Sequence, residues 1–89
     1  MAGKVNPVPE GFHTITPHMV IRNASAAIDF YKKAFGAKEL FRFPGPGETI
    51  GHAEIMIGKS IIMMADECQE MNHRGPTSLG GTPVSFMIY

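Results

Sequence analysis

Between Asn23 and Gly36 lies the one stretch of this chain with helical spacing. Ala27, Ile28, Tyr31, Ala34 and Phe35 fall on a single apolar stripe. Asn23 and Ser25 are good N-caps. Asp29 sits early and Lys32 and Lys33 late, as the helix dipole prefers, and Gly36 suits a C-terminal stop. The spacing predicts a helix over about 24–35. Every other periodic stretch alternates by two, the period of a strand. The chain is therefore a sheet with one helix, and one helix covers only one face of a sheet.

The strands follow from the alternation. From Phe12 to Arg22, Ile15, Pro17, Met19 and Ile21 fall on one face. Thr14, Thr16, His18, Val20 and Arg22 fall on the other. Pro17 cannot donate to a ladder, which places that part at an edge or bulge. Lys38 to Phe43 is a short strand, and Pro44 to Glu48 (PGPGE) a turn. Ile50 to Ile57 alternates again, with Ala53, Ile55 and Ile57 against His52, Glu54 and Met56. Gly58-Lys59 reads as a hairpin turn. Ser60 to Ala65 is a continuous apolar run, as in a strand buried on both faces. Asp66 to Pro83 is polar, Gly-rich and without period. Val84 to Tyr89 alternates once more. The expected division is an extended arm over 1–11, a βαβββ module over 12–68, a loop over 69–83 and a strand over 84–89. Thr16-Pro17 at the first strand and Thr82-Pro83 before the last hint that 84–89 opens a second copy of the unit.

Size and charge narrow the function. The chain has 89 residues, and eight Lys+Arg balance eight Asp+Glu. With no basic stripe, nucleic-acid binding has no electrostatic footprint. With no polybasic patch and no long apolar run, neither does membrane binding. Cys68 is the only cysteine, so no intrachain disulfide forms, and a cytoplasmic location is expected. A chain this small buries only about 60–65% of its unfolded surface, which makes a partner subunit a natural supplement.

The segments ITPHMVIRNASAAIDFYKKAFGAKELFRF, IGHAEIMIGKSIIMMADE and LGGTPVSFMIY resemble the vicinal oxygen chelate superfamily. The AIDFYKKAFG helix and the HAEIMIGKS hairpin are similar to the glyoxalase/bleomycin-resistance protein/dioxygenase family, in its PhnB-like, 3-demethylubiquinone-methyltransferase-like branch. The resemblance implies an α+β fold: one βαβββ module plus the first strand of a second, with a partner chain completing the sheet. This chain is similar to the N-terminal part of a longer family protein. In the family, paired modules form a cleft that often holds a divalent metal.

Strand parity supplies a site independently of the resemblance. The helix packs on Ile15, Met19, Ile21, Ala53, Ile55 and Ile57. The opposite face then carries Thr14, Thr16, His18, His52, Glu54 and Met56. Thr16, His18, His52, Glu54 and Met56 are the candidate ligand-binding residues, and no catalytic residue is identified. His18 and Glu54 are the candidate metal ligands, for zinc, nickel, manganese or iron. In the strand order that the resemblance implies, the Ser60 to Ala65 strand lies between them and separates them by roughly 10 Å at the backbone. The resemblance implies ligand positions near Thr16 and Met63, where a methionine cannot serve a hard cation. Cys68 and His73 match no structural zinc spacing.

The first functional expectation is a small-molecule-binding module whose cleft forms in a homodimer or strand-swapped assembly, without an intact metal site. The second is a metal-dependent lyase, isomerase or dioxygenase of the same superfamily. The third is a truncated chain that only assembles.

Overall fold

The computed structural model describes residues 8–89. Its elements are β1 (His18–Ile21), α1 (Ala24–Phe35), β2 (Lys38–Pro44), β3 (Ile50–Ile57) and β4 (Ser60–Asp66). One 3-10 turn (Gln69–Met71) and a short helix α2 (Pro76–Leu79) follow. The four strands form one sheet in the order β1-β4-β3-β2, with β1 parallel to β4 and the other pairs antiparallel. The βαβββ order is the one read from the sequence. Among the described residues no helix is long and apolar enough to cross a membrane.

Helix α1 begins and ends on two left-handed residues. Asn23 (φ 61°) accepts from the Ala26 N–H, and Gly36 (φ 66°) donates to the Lys32 carbonyl. Both residue types tolerate that conformation. The helix lies on one sheet face. Ala24, Ile28, Ala53, Ile55 and Met64 are buried there, with Met19, Ile21, Ile57 and Ile62 packed around them. Alanines at 24 and 53 let helix and sheet approach closely. Asp66 fastens the same junction: its carboxylate accepts from the Ala24 N–H (2.9 Å) and from the Ile50 N–H (2.7 Å). One side chain thereby ties the start of α1 and the start of β3 to the end of β4.

Four expectations need correction. The first strand spans His18–Ile21, not 12–22. Pro17 contributes only its carbonyl, which accepts from Met63 N–H, and the chain before it leaves the ladder. Ile15 is consequently 84% exposed and does not serve the core. Residues 1–7 of the expected arm lie outside the described residues, and its end carries a turn closed by Phe12 N–H on the Pro9 carbonyl. The stretch expected as a loop over 69–83 carries the 3-10 turn and α2, and Cys68 and His73 exchange backbone hydrogen bonds at 2.9 Å each. Glu67 holds it by accepting from Gly75 N–H (2.7 Å) and Arg22 Nε (3.2 Å). Finally, 84–89 forms no strand and stays exposed. A period of two yields a strand only where a neighbouring strand completes its hydrogen bonds.

Candidate functional site

The face of the sheet opposite α1 has no long helix on it among the described residues, and only the short α2 approaches its β1 edge. Register places its residues in rows. His18 pairs with Met63, Met63 with Glu54, and Glu54 with Phe41. One row therefore crosses β1, β4, β3 and β2 in turn. Phe43 pairs with His52 in the adjacent row. Of the sequence candidates, His18, His52 and Glu54 come together here. Met56, half-buried, lies one repeat further along β3. Thr16 does not join them. It precedes β1 and lines a separate apolar cleft with Met19, Tyr31, Phe35 and Ile57.

Glu54 is the one buried acidic or basic residue among those described, at 8% exposed. Its Oε2 lies 3.1 Å from His52 Nε2. This bond follows from their i, i+2 spacing, which puts both side chains on the same face. An N–H on Nε2 donates to the carboxylate. The His52 ring is flanked by His18 (centroids 5.9 Å) and Phe41 (5.9 Å). His73, carried by the ordered connection, meets His18 edge-on at 6.5 Å. The His18 pKa falls below the usual imidazole value. Burial among these side chains is the main cause, and the nearby His52 and His73 rings add to it. A neutral His18 offers one donor and one acceptor to a ligand.

A divalent metal centre does not fit these residues. Among the described residues no group of three or more His, Cys, Asp or Glu side chains is placed to hold an ion. His18 and Glu54 occupy one row, but the Met63 thioether stands between them, and a soft sulfur is a poor ligand for a hard cation. The arrangement suits hydrogen bonding and stacking.

Three residues of this face escaped the sequence reading. Phe41 and Phe43 depend on a bulge in β2: Glu39 pairs with Ile55, and Phe41 with the next residue, Glu54. The extra residue, Leu40, sends Glu39 to the helix side, where it meets Lys32 and Arg42, and Phe41 and Phe43 to the open face. Regular alternation would have grouped all three. His73 depends on the fold of the 67–75 connection. A Cβ on Gly75 would come within 2.8 Å of the Val20 carbonyl, so only glycine lets that segment approach β1. Its signal in the sequence was a glycine near a histidine, which is too common to read.

Comparison with known proteins adds the family. The Glyoxalase/Bleomycin resistance protein/Dioxygenase superfamily matches residues 11–83. The uncharacterized protein Mb0911c of Mycobacterium bovis is 46% identical over 77 residues, 83% of this chain and 51% of its own length. The uncharacterized protein Rv0887c of Mycobacterium tuberculosis is 46% identical over 77 residues, 45% of its own length. The chain thus spans about half the length of the curated relatives it matches. No solved structure matches it.

Proposed function

The chain belongs to the Glyoxalase/Bleomycin resistance protein/Dioxygenase superfamily, and from that premise we propose that it is a small-molecule-binding module whose ligand lies on the open sheet face. One observation carries this reading. The row His18, Met63, Glu54 and Phe41 combines stacking surface with a buried carboxylate–imidazole pair, on the face that α1 leaves bare. Small-molecule sites generally pair an apolar lining with a few placed polar groups. Positioning or sequestering a ligand needs no metal, in keeping with the donor set described above.

A second copy of the chain roofs the site on this reading. Three features support it. The relatives are about twice as long, enough for two such units. Strand β2 is a sheet edge, and unpaired edges invite pairing. The exposed, alternating segment 84–89 is available to a neighbouring chain. The helix and hairpin motifs AIDFYKKAFG and HAEIMIGKS support placement in the PhnB-like branch.

The test is an NMR screen of a small-molecule library against the whole chain. Binding should move His18, His52 and Met63 resonances, and Glu54→Gln should weaken it roughly tenfold, the loss of a charge-assisted hydrogen bond. A library with no compound that moves these resonances at millimolar concentration contradicts the reading. Light scattering showing a folded monomer at all concentrations removes the second copy.

A further inference from the structure

The open face carries a run of rings for which the core has no use. Beginning on β2, they are Phe43, Phe41, His52, His18 and His73. Successive centroids are 5.2, 5.9, 5.9 and 6.5 Å apart. All four separations fall within the range of interacting aromatic pairs, about 4.5–7 Å. Rings from β2, β3, β1 and the connection after β4 thus make one continuous strip. The buried cluster beneath α1 lies on the other face and includes none of them. Phe43 is 60% and Phe41 39% exposed, so the strip presents its aromatic area to solvent at one end. Near its middle sits one anchored polar point, the His52–Glu54 pair.

We propose that this strip takes a planar aromatic ligand, stacked on His52 and against the edge of Phe41, whose ring is tilted 38° to it, with a hydroxyl or amine donating to the Glu54 carboxylate. The inference rests on the open face being the ligand site and narrows that reading to one chemical class. The physical ground is selectivity. A flat π-system stacks on rings spaced this way, whereas a saturated ring system of equal volume gains burial alone. Glu54 is acceptor-only when ionised, so the ligand's polar group must be a donor. Two Phe rings on β2 continue into three His rings, so the strip offers stacking surface along its whole length.

The experiment uses a matched pair of probes, 2-naphthalenemethanol and decahydro-2-naphthalenemethanol, titrated into the whole chain with NMR detection. They share a hydroxyl and a carbon skeleton and differ in flatness and π-electrons. The naphthyl probe should bind at least about fivefold tighter and shift the His52 and His18 ring protons by its ring current. Phe41→Leu should lower its affinity roughly two- to tenfold, the worth of one aromatic contact. Phe30→Leu, on the solvent side of α1, should leave it unchanged. Should Phe41→Leu fail to fold, the wild-type ring-current shifts decide alone.

Equal affinity of the two probes at this face overturns the aromatic class and leaves the open-face site standing. So does silence from both probes while other library compounds move His18 and His52. Silence from every compound overturns both readings. Self-association that buries Phe41 and excludes both probes overturns the proposal in favour of a second copy as the occupant.

Discussion

Replacing Asp66 with alanine should destabilise the fold by about 2–4 kcal/mol. The carboxylate accepts two backbone hydrogen bonds, at 2.9 Å from Ala24 and 2.7 Å from Ile50. Ala24 is 0% and Ile50 4% exposed, so water cannot readily reach the two N–H groups once the carboxylate is gone. A hydrogen bond to a charged group contributes about 1.5–3 kcal/mol. Two give about 3–6 kcal/mol, and the half-exposed carboxylate regains hydration in the unfolded chain, which reduces the net loss to about 2–4 kcal/mol. Ala24 also opens α1, where a negative charge is favoured by roughly 0.3–1 kcal/mol. For a domain of this size the whole stability is about 4–13 kcal/mol, so the loss is a large share. Asp66→Asn keeps one acceptor oxygen and should cost about 1–2 kcal/mol. Urea denaturation followed by circular dichroism measures both, as a shift in midpoint at constant slope. Glu48→Ala, on the exposed turn, should stay within about 0.5 kcal/mol. An Asp66→Ala midpoint indistinguishable from wild type would refute the reasoning. Equal losses for Ala and Asn would show that charge, and not the pair of acceptors, is what matters.

Other expectations follow from the same contacts. Glu39 is held down to about 2, chiefly by the hydrogen bonds from Arg42. A carboxylate depressed in the fold stabilises it above its ordinary pKa of 4.5, and that stability drains as pH falls from there to about 2. Glu39→Gln should therefore flatten the pH dependence of stability in that window, and parallel curves for the two proteins would contradict it. His18 is depressed below 6.5 by burial and by its neighbours His52 and His73. The unfolded chain then takes up a proton first, so stability falls as pH drops below 6.5. His18→Asn should remove part of that fall, and an NMR titration midpoint at or above 6.5 would count against the account. Gly75→Ala must move a Cβ placed 2.8 Å from the Val20 carbonyl. It should cost about 1–3 kcal/mol and loosen His73 from His18, seen as a changed His73 environment by NMR.

Much of the fold was legible because its signals were local. The α1 stripe, its Asn23 and Gly36 ends, β3 and the Gly58-Lys59 turn each depend on residues close in sequence, and the structure keeps their bounds. The two faces of β3 followed from the alternation of Ala53, Ile55 and Ile57 with His52, Glu54 and Met56. Partners distant in sequence were not legible. The alternation at 12–16 and 84–89 is as regular as that of β3, yet neither stretch pairs with a strand among the described residues. Half of the candidate site had the same weakness. His18, His52 and Glu54 could be grouped by parity alone. Phe41 and Phe43 reach them through one extra residue in β2, and His73 through the close approach of Gly75 to β1. An inserted residue that reverses a strand's parity leaves no mark in its own sequence. Thr16 was misplaced for a related reason, because parity was carried across Pro17 into a segment that has left the ladder.

The most direct measurement is an NOE map of a bound small molecule on the whole chain. Two surfaces compete for it. One is the open sheet face, and the other is the apolar cleft on the helix side, lined by Met19, Tyr31, Phe35 and Ile62. A ligand on the open face should give NOEs to the His18 and His52 rings and to the Met63 methyl, with none to Tyr31 or Phe35. Contacts confined to Tyr31, Phe35 and Met19, with the His18 and His52 rings unmoved, would contradict the open-face site.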